Sequence, residues 1–387
     1  MSYFSSHRSI GILGGGQLGK MLLYCTRQWD IRTHVLDPSP EAPARLACDV
    51  FEVGDLLDYD AVVAFGRKVD ILTIEIENVN VDALKTLQEE GIKVYPQPQV
   101  LEKIQNKCVQ KTFYQAQNIP TASFQLYDTL AGVKQDILKG SLSFPFVWKS
   151  ARMGYDGFGV RIVRNNSDVE SLQEGPCLAE DLVPFKKELG VMVCRRPQGE
   201  IKVYPLVEME FHPTANQVEY VLSPAQVPPA IEEKAQKVAQ RVSEAFDHVG
   251  LLAVELFWTE QNEILVNEVA PRPHNSGHYT LEAAYTSQFE QHIRAILDLP
   301  LGHTANKVSS VMVNLVGKEG YKGPVHYKNI DHIMGMEGVS PHIYGKKETR
   351  PFRKMGHVTI VHPELSRARE LAGEVKETIE VISKKHG

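Results

Sequence analysis

Cysteine is scarce in this chain, and the five present, Cys25, Cys48, Cys108, Cys177 and Cys194, are widely separated with no CxxC pair. That excludes a disulfide framework and a cysteine zinc cluster, and it fits a reducing compartment. Long apolar runs are missing too: nothing approaches the roughly 18 uninterrupted apolar residues of a spanning helix. The segment Met1 to Arg8 lacks the apolar core of a secretion signal, so a cytoplasmic location is expected. Nor is there an excess of positive charge. Forty-two Lys and Arg stand against 48 Asp and Glu, a formal charge of −6, and no basic cluster is interleaved with aromatics, so neither nucleic acid nor a membrane is expected as a partner. Low-complexity tracts and internal repeats are likewise absent.

What is present is an ordinary globular composition, 43% hydrophobic and 23% charged, over 387 residues. That length exceeds a single core, and two or three packed units are expected. Ser9–Leu13 reads as a strand, followed by the tight turn Gly14 to Gly19 and a helix over Lys20–Gln28. Further strands fit Arg32–Leu36, Asp70–Glu75 and Lys93–Tyr95, with a helix over Val81–Glu90. This alternation predicts a mostly parallel sheet in about the first hundred residues. A helix is expected from Glu102 to about Gln117, closed by Asn118-Ile119-Pro120. Pro145–Lys149 and Val160–Val163 form a hairpin whose tip, Ser150–Gly159, is rich in glycine. From Glu180 to Val221 the pattern alternates as antiparallel strands do, and Ala230–Val249 is an amphipathic helix. Strands at Leu251–Thr259 and Glu263–Val269 follow, then short strands and a closing amphipathic helix over Glu364–Lys385.

Four constellations can carry chemistry. Gly14-Gly15-Gly16-Gln17-Leu18-Gly19 matches G-x-G-x-x-G between a strand and a helix, with Asp37 ending the next strand. Such a loop offers backbone N–H groups to a phosphate, as in a nicotinamide dehydrogenase, and equally serves as a tight turn in any α/β domain. Lys149 stands at a strand end before Gly154-Tyr155-Asp156-Gly157-Phe158-Gly159, where a lysine and a flexible glycine-rich hairpin suit a triphosphate, although the spacing is not that of a P-loop. Glu255 and Glu268 lie on consecutive strands in apolar surroundings. A carboxylate buried without a partner costs several kcal/mol, so either a shared cation or an arginine or lysine beside each explains two of them, and oxygen ligands beside the amide Asn267 suit Mg²⁺. The fourth is the loop EVAPRPHNSGH, Glu268 to His278, a rigid polar floor for an anionic substrate. Its His274 and His278, at i and i+4, have the look of a metal pair, but the prolines disfavour a helix and no third ligand is apparent, so zinc is not the expected cofactor.

In combination these segments resemble the ATP-grasp enzymes of purine biosynthesis, most closely the N5-carboxyaminoimidazole ribonucleotide synthases. The resemblance runs over nearly the whole length, through GGGQLGKM, EIEN, GYDGFG, NEVAPRPHNSGH, SVMVNLVG and RKMGH at Arg353–His357. It implies a mixed α/β and α+β architecture with an N-terminal Rossmann-like parallel-sheet domain (1–105), a small glycine-rich lid domain (106–184), a large antiparallel-sheet domain (185–300) and a C-terminal subdomain packed on it (301–387). The implied reaction consumes ATP, bicarbonate and 5-aminoimidazole ribonucleotide, with Mg²⁺ as cofactor and a homodimer as the assembly.

The resemblance also implies roles. Lys103 and Lys149 approach the ATP phosphates under the hairpin Gly154, Tyr155, Asp156, Gly157, Phe158 and Gly159. Glu180, Asp181, Leu182 and Val183 form the adenine hinge, Glu188 takes the ribose, and Asn267 and Glu268 complete the nucleotide site. Glu255 and Glu268 hold magnesium. The ribonucleotide is met by Gly16, Gln17, Leu18, Glu77, Asp156, Arg272, His274, Asn275, Ser276, Arg353 and Lys354, with Asp156, Arg272 and Lys354 at the chemistry. One departure is Phe158, where the family's GYDG motif continues with a basic residue; Arg152 is a candidate replacement. A formate-dependent glycinamide ribonucleotide transformylase, a biotin carboxylase-like ligase and a nicotinamide-dependent oxidoreductase are the competing readings.

Overall fold

The computed structural model describes residues 3–152, 159–213, 215 and 217–384. Its N-terminal unit is a five-stranded parallel sheet in the spatial order Val50–Val53, Arg32–Asp37, Ser9–Leu13, Ile71–Ile74, Lys93–Val94. Ser9–Leu13 is central and buried throughout, as its apolar run predicts. The helix after the glycine turn starts at Gln17, one turn earlier than the apolar spacing suggests, because Gly16 in extended conformation already serves as its N-cap.

The expected single helix from Glu102 to Gln117 is two helices, Pro98–Ile104 and Lys107–Ala116. Asn106 makes the break: it adopts an extended backbone and its Oδ1 accepts from the N–H groups of Cys108 (3.0 Å) and Val109 (3.3 Å). An asparagine that caps in this way competes with helix continuation. The second unit is an antiparallel sheet ordered Phe124–Tyr127, Cys177–Asp181, Phe146–Ser150, Val160–Val163. Asp156 and the rest of the hairpin tip, from Gly154 to Phe158, lie outside the described residues.

The largest sheet has nine strands. Its path runs Ile264–Ala270, Gly250–Thr259, Phe185–Arg195, Val207–Phe211, Val218–Ser223, Ser309–Val316, Lys354–His362 and Val339–Ile343, with Ile201–Val203 attached to Phe185–Arg195. The segment after residue 301 therefore continues the large sheet through Ser309–Val316 and Lys354–His362, besides packing on it. The helix Pro229–Phe246 covers one face, burying Ile231, Ala235, Ala239, Val242 and Phe246 at helical spacing.

The closing helix spans Leu365–Thr378, shorter than the apolar stripe to Lys385 suggests. Ile379 leaves the helix and Glu380–Ser383 becomes a strand paired antiparallel with Gly323–Lys328. The β-branched residues Ile379, Val381 and Ile382 favour that pairing over another helical turn. No helix among the described residues is long and apolar enough to cross a membrane.

Candidate active site

Glu255 and Glu268 are directly opposite each other on the antiparallel strands Gly250–Thr259 and Ile264–Ala270. The register then slips: Leu256 pairs with Val266, leaving Asn267 without a partner across the ladder. Such a bulge re-aims side chains, so consecutive residues need not point to opposite faces. Here Asn267 Oδ1 accepts from Lys149 Nζ at 3.1 Å while Glu268 Oε2 accepts from Lys107 Nζ at 2.9 Å. Both lysines come from the region of the small sheet, so the bulge turns two neighbours toward the same cleft. The segment before it is pinned by Val266 N–H donating to Pro120 O and Thr121 Oγ1 donating to Val266 O.

The cationic side is built from three lysines. Lys107 and Lys111, four apart on the helix Asn106 caps, share one face. Lys149 ends the strand Phe146–Ser150 and meets Glu180 Oε2 at 2.8 Å, while Lys111 meets Glu180 Oε1 at 2.9 Å. All three of Lys111, Lys149 and Glu180 are buried. Burial pushes the Lys111 ammonium down to about 8, against the pull of Glu180. Burial alone would raise Glu180, but the two lysines outweigh it and hold it below the usual carboxylate range.

The acidic side is asymmetric. Desolvation, aided by the neighbouring Glu268 and Glu188, pushes Glu255 up to about 8. Desolvation acts on Glu268 as well, yet the ammonium groups of Lys107 and Lys149 overcome it and keep that carboxyl ionised. Glu188, two residues before Gly190 on the neighbouring strand, is pushed up to about 7 by burial, partly offset by Lys149. Adjacent carboxyl groups in which one keeps its proton are a charge deficit that a cation fits. The donors are oxygen only, and among the described residues no three His, Cys, Asp or Glu gather as a complete metal cage. A hard divalent ion held by these two carboxylates would take its other ligands from phosphate oxygens and water.

The loop after Ala270 closes the cleft from the side of the parallel sheet. Arg272 Nε pairs with Glu77 Oε2 at 2.9 Å, tying the loop to the N-terminal unit. His274 Nδ1 accepts from the N–H of Ser276, which leaves Nε2–H toward Glu255 Oε1 at 3.4 Å. Ser276 packs on Gly190, where a Cβ would stand 3.2 Å from Ser276 Oγ, so a side chain there would press the turn away from the sheet. Lys354 begins the strand Lys354–His362, and its charge acts on both Glu255 and His278.

Several expected contacts are placed differently. Lys103 belongs to the preceding helix, and its ammonium lies 4.9 Å over the Phe113 ring; Lys107 and Lys111 occupy the cleft that Lys103 was expected to reach. The signal available in sequence was Asn106 as an N-cap, which resets the helical phase. Ser276 faces inward with its hydroxyl 3.7 Å from Met192 Sδ, so it orients His274 from behind. Asn275 exchanges two amide hydrogen bonds with Asn314, at 2.8 and 2.9 Å, on the SVMVNLVG strand. Leu18 is a core residue beneath the glycine turn, and Arg353 Nη1 donates to Glu348 O at 2.7 Å. Glu180 is bonded to the two lysines at the end of its strand; Asp181, Leu182 and Val183 continue from there into the crossing to the large sheet. Gly159, with φ of +72°, closes the hairpin through its carbonyl to Ser150 N–H.

The glycine turn is already filled. Glu75 Oε1 accepts from Gly16 N–H and Oε2 from Gly19 N–H, each at 2.7 Å, while Asp37 takes Gly15 N–H. A Cβ on Gly14 or Gly16 would stand 2.4 Å from Glu75. Gly14, at φ of +98°, and Gly16 leave room for this internal carboxylate, which takes up the N–H groups that a pyrophosphate would need and so counts against the nicotinamide reading.

A small antiparallel sheet and a large one, meeting across a cleft with lysines on one wall and carboxylates on the other, define an ATP-grasp enzyme. Residues 112–289 match the ATP-grasp domain family, 7–105 the ribonucleotide synthetase preATP-grasp domain and 310–371 the phosphoribosylaminoimidazole carboxylase C-terminal domain. The chain belongs to the N5-carboxyaminoimidazole ribonucleotide synthase family. It is 39% identical to the synthase of Bacillus subtilis, covering 91% of each chain. The synthetase crystal structure from Thermotoga maritima superposes with a TM-score of 0.89 at 42% identity, covering 97% of this chain and 100% of that one. A synthase from Aspergillus clavatus, in complex with ADP and 5-aminoimidazole ribonucleotide, gives 0.88 at 32% identity over 97% and 99%. The chain spans only 63% of the length of the Candida glabrata phosphoribosylaminoimidazole carboxylase, to which it is 37% identical over 92% of its own length.

Proposed function

We propose that this protein carboxylates the exocyclic amine of 5-aminoimidazole ribonucleotide with bicarbonate, converting ATP to ADP and phosphate. The observation that carries the reading is the opposed pair Glu255 and Glu268 beneath Lys107 and Lys149, with the Arg272 to Ser276 loop across the same cleft. Magnesium held by Glu255 and Glu268 would neutralise phosphate charge.

The chain's own groups supply the rest. Lys149 and Lys107 are positioned to exchange their carboxylate partners for phosphate oxygens, which concentrates positive charge where the γ-phosphoryl group is transferred. Glu180 to Val183, at the crossing between the sheets, form the nucleotide hinge, and Glu188 stands ready for a ribose hydroxyl. Bicarbonate is a poor electrophile; phosphorylation to carboxyphosphate creates an activated carbonyl carbon for the amine to attack. Arg272, Lys354 and His274 surround the side of the cleft where that attack takes place, and Asp156 is assigned to the amine. A closed hairpin shields the labile intermediate from water. By family resemblance the working assembly is a cytoplasmic homodimer, testable by analytical ultracentrifugation.

The deciding experiment measures ADP release with 5-aminoimidazole ribonucleotide and ¹³C-bicarbonate, following the label into an acid-labile product. Release that requires formate and glycinamide ribonucleotide instead overturns the proposal.

A further inference from the structure

Three imidazoles form a stack beside the cleft. His342 and His357 are partners on adjacent antiparallel strands, with ring centroids 4.5 Å apart and planes within 8°. His278, the last residue of the EVAPRPHNSGH loop, packs against His357 with centroids 4.6 Å apart and planes tilted by 33°. The column continues to Phe289 at 5.8 Å, on a helix that packs into the core of the N-terminal unit. His278 and His357 are almost wholly buried, far more than a solvated histidine pair would be.

Each ring is fixed from the side. His342 Nε2 is 2.7 Å from Glu282 Oε1, and Tyr344 Oη is 3.1 Å from His357 Nδ1. His278 Nδ1 accepts from Gln288 Nε2 at 3.1 Å. The same Gln288 side chain brackets the His274 backbone, accepting from its N–H at 2.9 Å and donating to its carbonyl at 2.8 Å. One end of the column is therefore tied to the loop that carries Arg272 and His274. His357, in the middle of the column, is built into the strand that begins at Lys354, and His342 ends the column on the neighbouring strand Val339–Ile343. Burial keeps the His278 and His357 rings neutral, so they can stack without charge repulsion.

We infer that the stacked rings of His342, His357 and His278 are a positioning device that locks the 272–278 loop to the start of the strand Lys354–His362. Arg272, His274 and Lys354 are thereby presented as one rigid surface for the ribonucleotide. Lys354 and Arg272 are distant in sequence, and ring stacking fixes their separation at small entropic cost, since an imidazole has only two side-chain torsions. The inference rests on the assignment of that surface to the ribonucleotide, and its test separates the two.

Amide hydrogen exchange on the ligand-free protein reads the coupling without any substrate. His357→Ala is expected to raise exchange in 272–278 and in 354–358 together, while His357→Phe, which keeps a ring in the column, leaves both close to the parent. Unchanged protection of 272–278 in His357→Ala overturns the inference. Steady-state kinetics then read the consequence: KM for 5-aminoimidazole ribonucleotide rises about tenfold in His357→Ala, the scale of a lost aromatic pair, with KM for ATP within about twofold. An equal rise in both constants means general loosening and overturns it as well. His357→Leu, which keeps a side chain of similar bulk but removes the ring between His278 and His342, gives the same readings if His357→Ala does not fold. A parent enzyme inert toward the ribonucleotide refutes the assigned reaction, and the exchange result still decides the coupling.

Discussion

Glu255 and Glu268 face each other across neighbouring strands and divide one proton unequally: Glu255 is pushed up to about 8, whereas Lys107, 2.9 Å from Glu268, keeps that partner ionised. The inequality arises because Lys107 hydrogen-bonds only to Glu268, which also feels Lys149, while its charge reaches Glu255 from farther away.

Loading of the metal site should therefore release a proton. An acid raised to about 8 is mostly neutral at pH 7, and a divalent cation must displace that proton. Affinity for magnesium–ADP is expected to rise about tenfold per pH unit below 8 and to level off above it. Calorimetry at pH 7 in buffers of different ionisation enthalpy reads the proton directly. A binding heat independent of buffer would contradict the unequal pair.

The helix break at Asn106 makes a prediction about lysines. Lys107→Ala should weaken ADP binding by roughly tenfold, the scale of a charge-assisted contact. Lys103→Ala, which loses a ring contact worth about 0.5–1 kcal/mol of stability, should leave ADP affinity within about twofold. Fluorescence titration with an ADP analogue distinguishes them, and a larger effect at Lys103 would reverse the assignment.

Glu188 should make stability fall with pH. Its folded value, raised to about 7, lies above the unfolded carboxyl range near 4.3, so the native state holds more protons between the two. Relative stability is full below the unfolded value and declines as pH rises through about 7. Glu188→Gln removes that titration. The Tm of the parent minus that of the variant is expected to decrease from pH 5 to pH 8 in metal-free buffer; a constant difference would show that Glu188 ionises normally.

Glu75→Ala should destabilise the N-terminal unit by about 1 kcal/mol, because two part-buried backbone N–H groups at a helix start lose their acceptor. Urea unfolding measures the loss. NADH should not restore it, and protection by NADH would reinstate a dinucleotide role for the glycine turn.

Much of this was legible from residue order. Ser9–Leu13 and Val160–Val163 follow their apolar patterns to the residue, and Glu255 and Glu268 are conspicuous because carboxylates rarely sit within apolar strands. Lys149 before a glycine-rich hairpin was equally plain. Asn106 is not legible as a break because apolar periodicity extends across it, although a capping residue at that point shifts which lysines face the cleft.

The sequence by itself determined most of the element types, the acidic pair and the family, since these depend on local periodicity and on residue types with few alternative uses, while the turn of the closing helix into the strand Glu380–Ser383 was decided by pairing. Only tertiary structure decided that Glu75 fills the glycine turn, that Ser276 supports His274 from behind, and that three distant histidines stack. Those relationships join elements far apart in the chain, and their geometry depends on register, the bulge at Asn267 and the packing of sheets, none of which local spacing specifies.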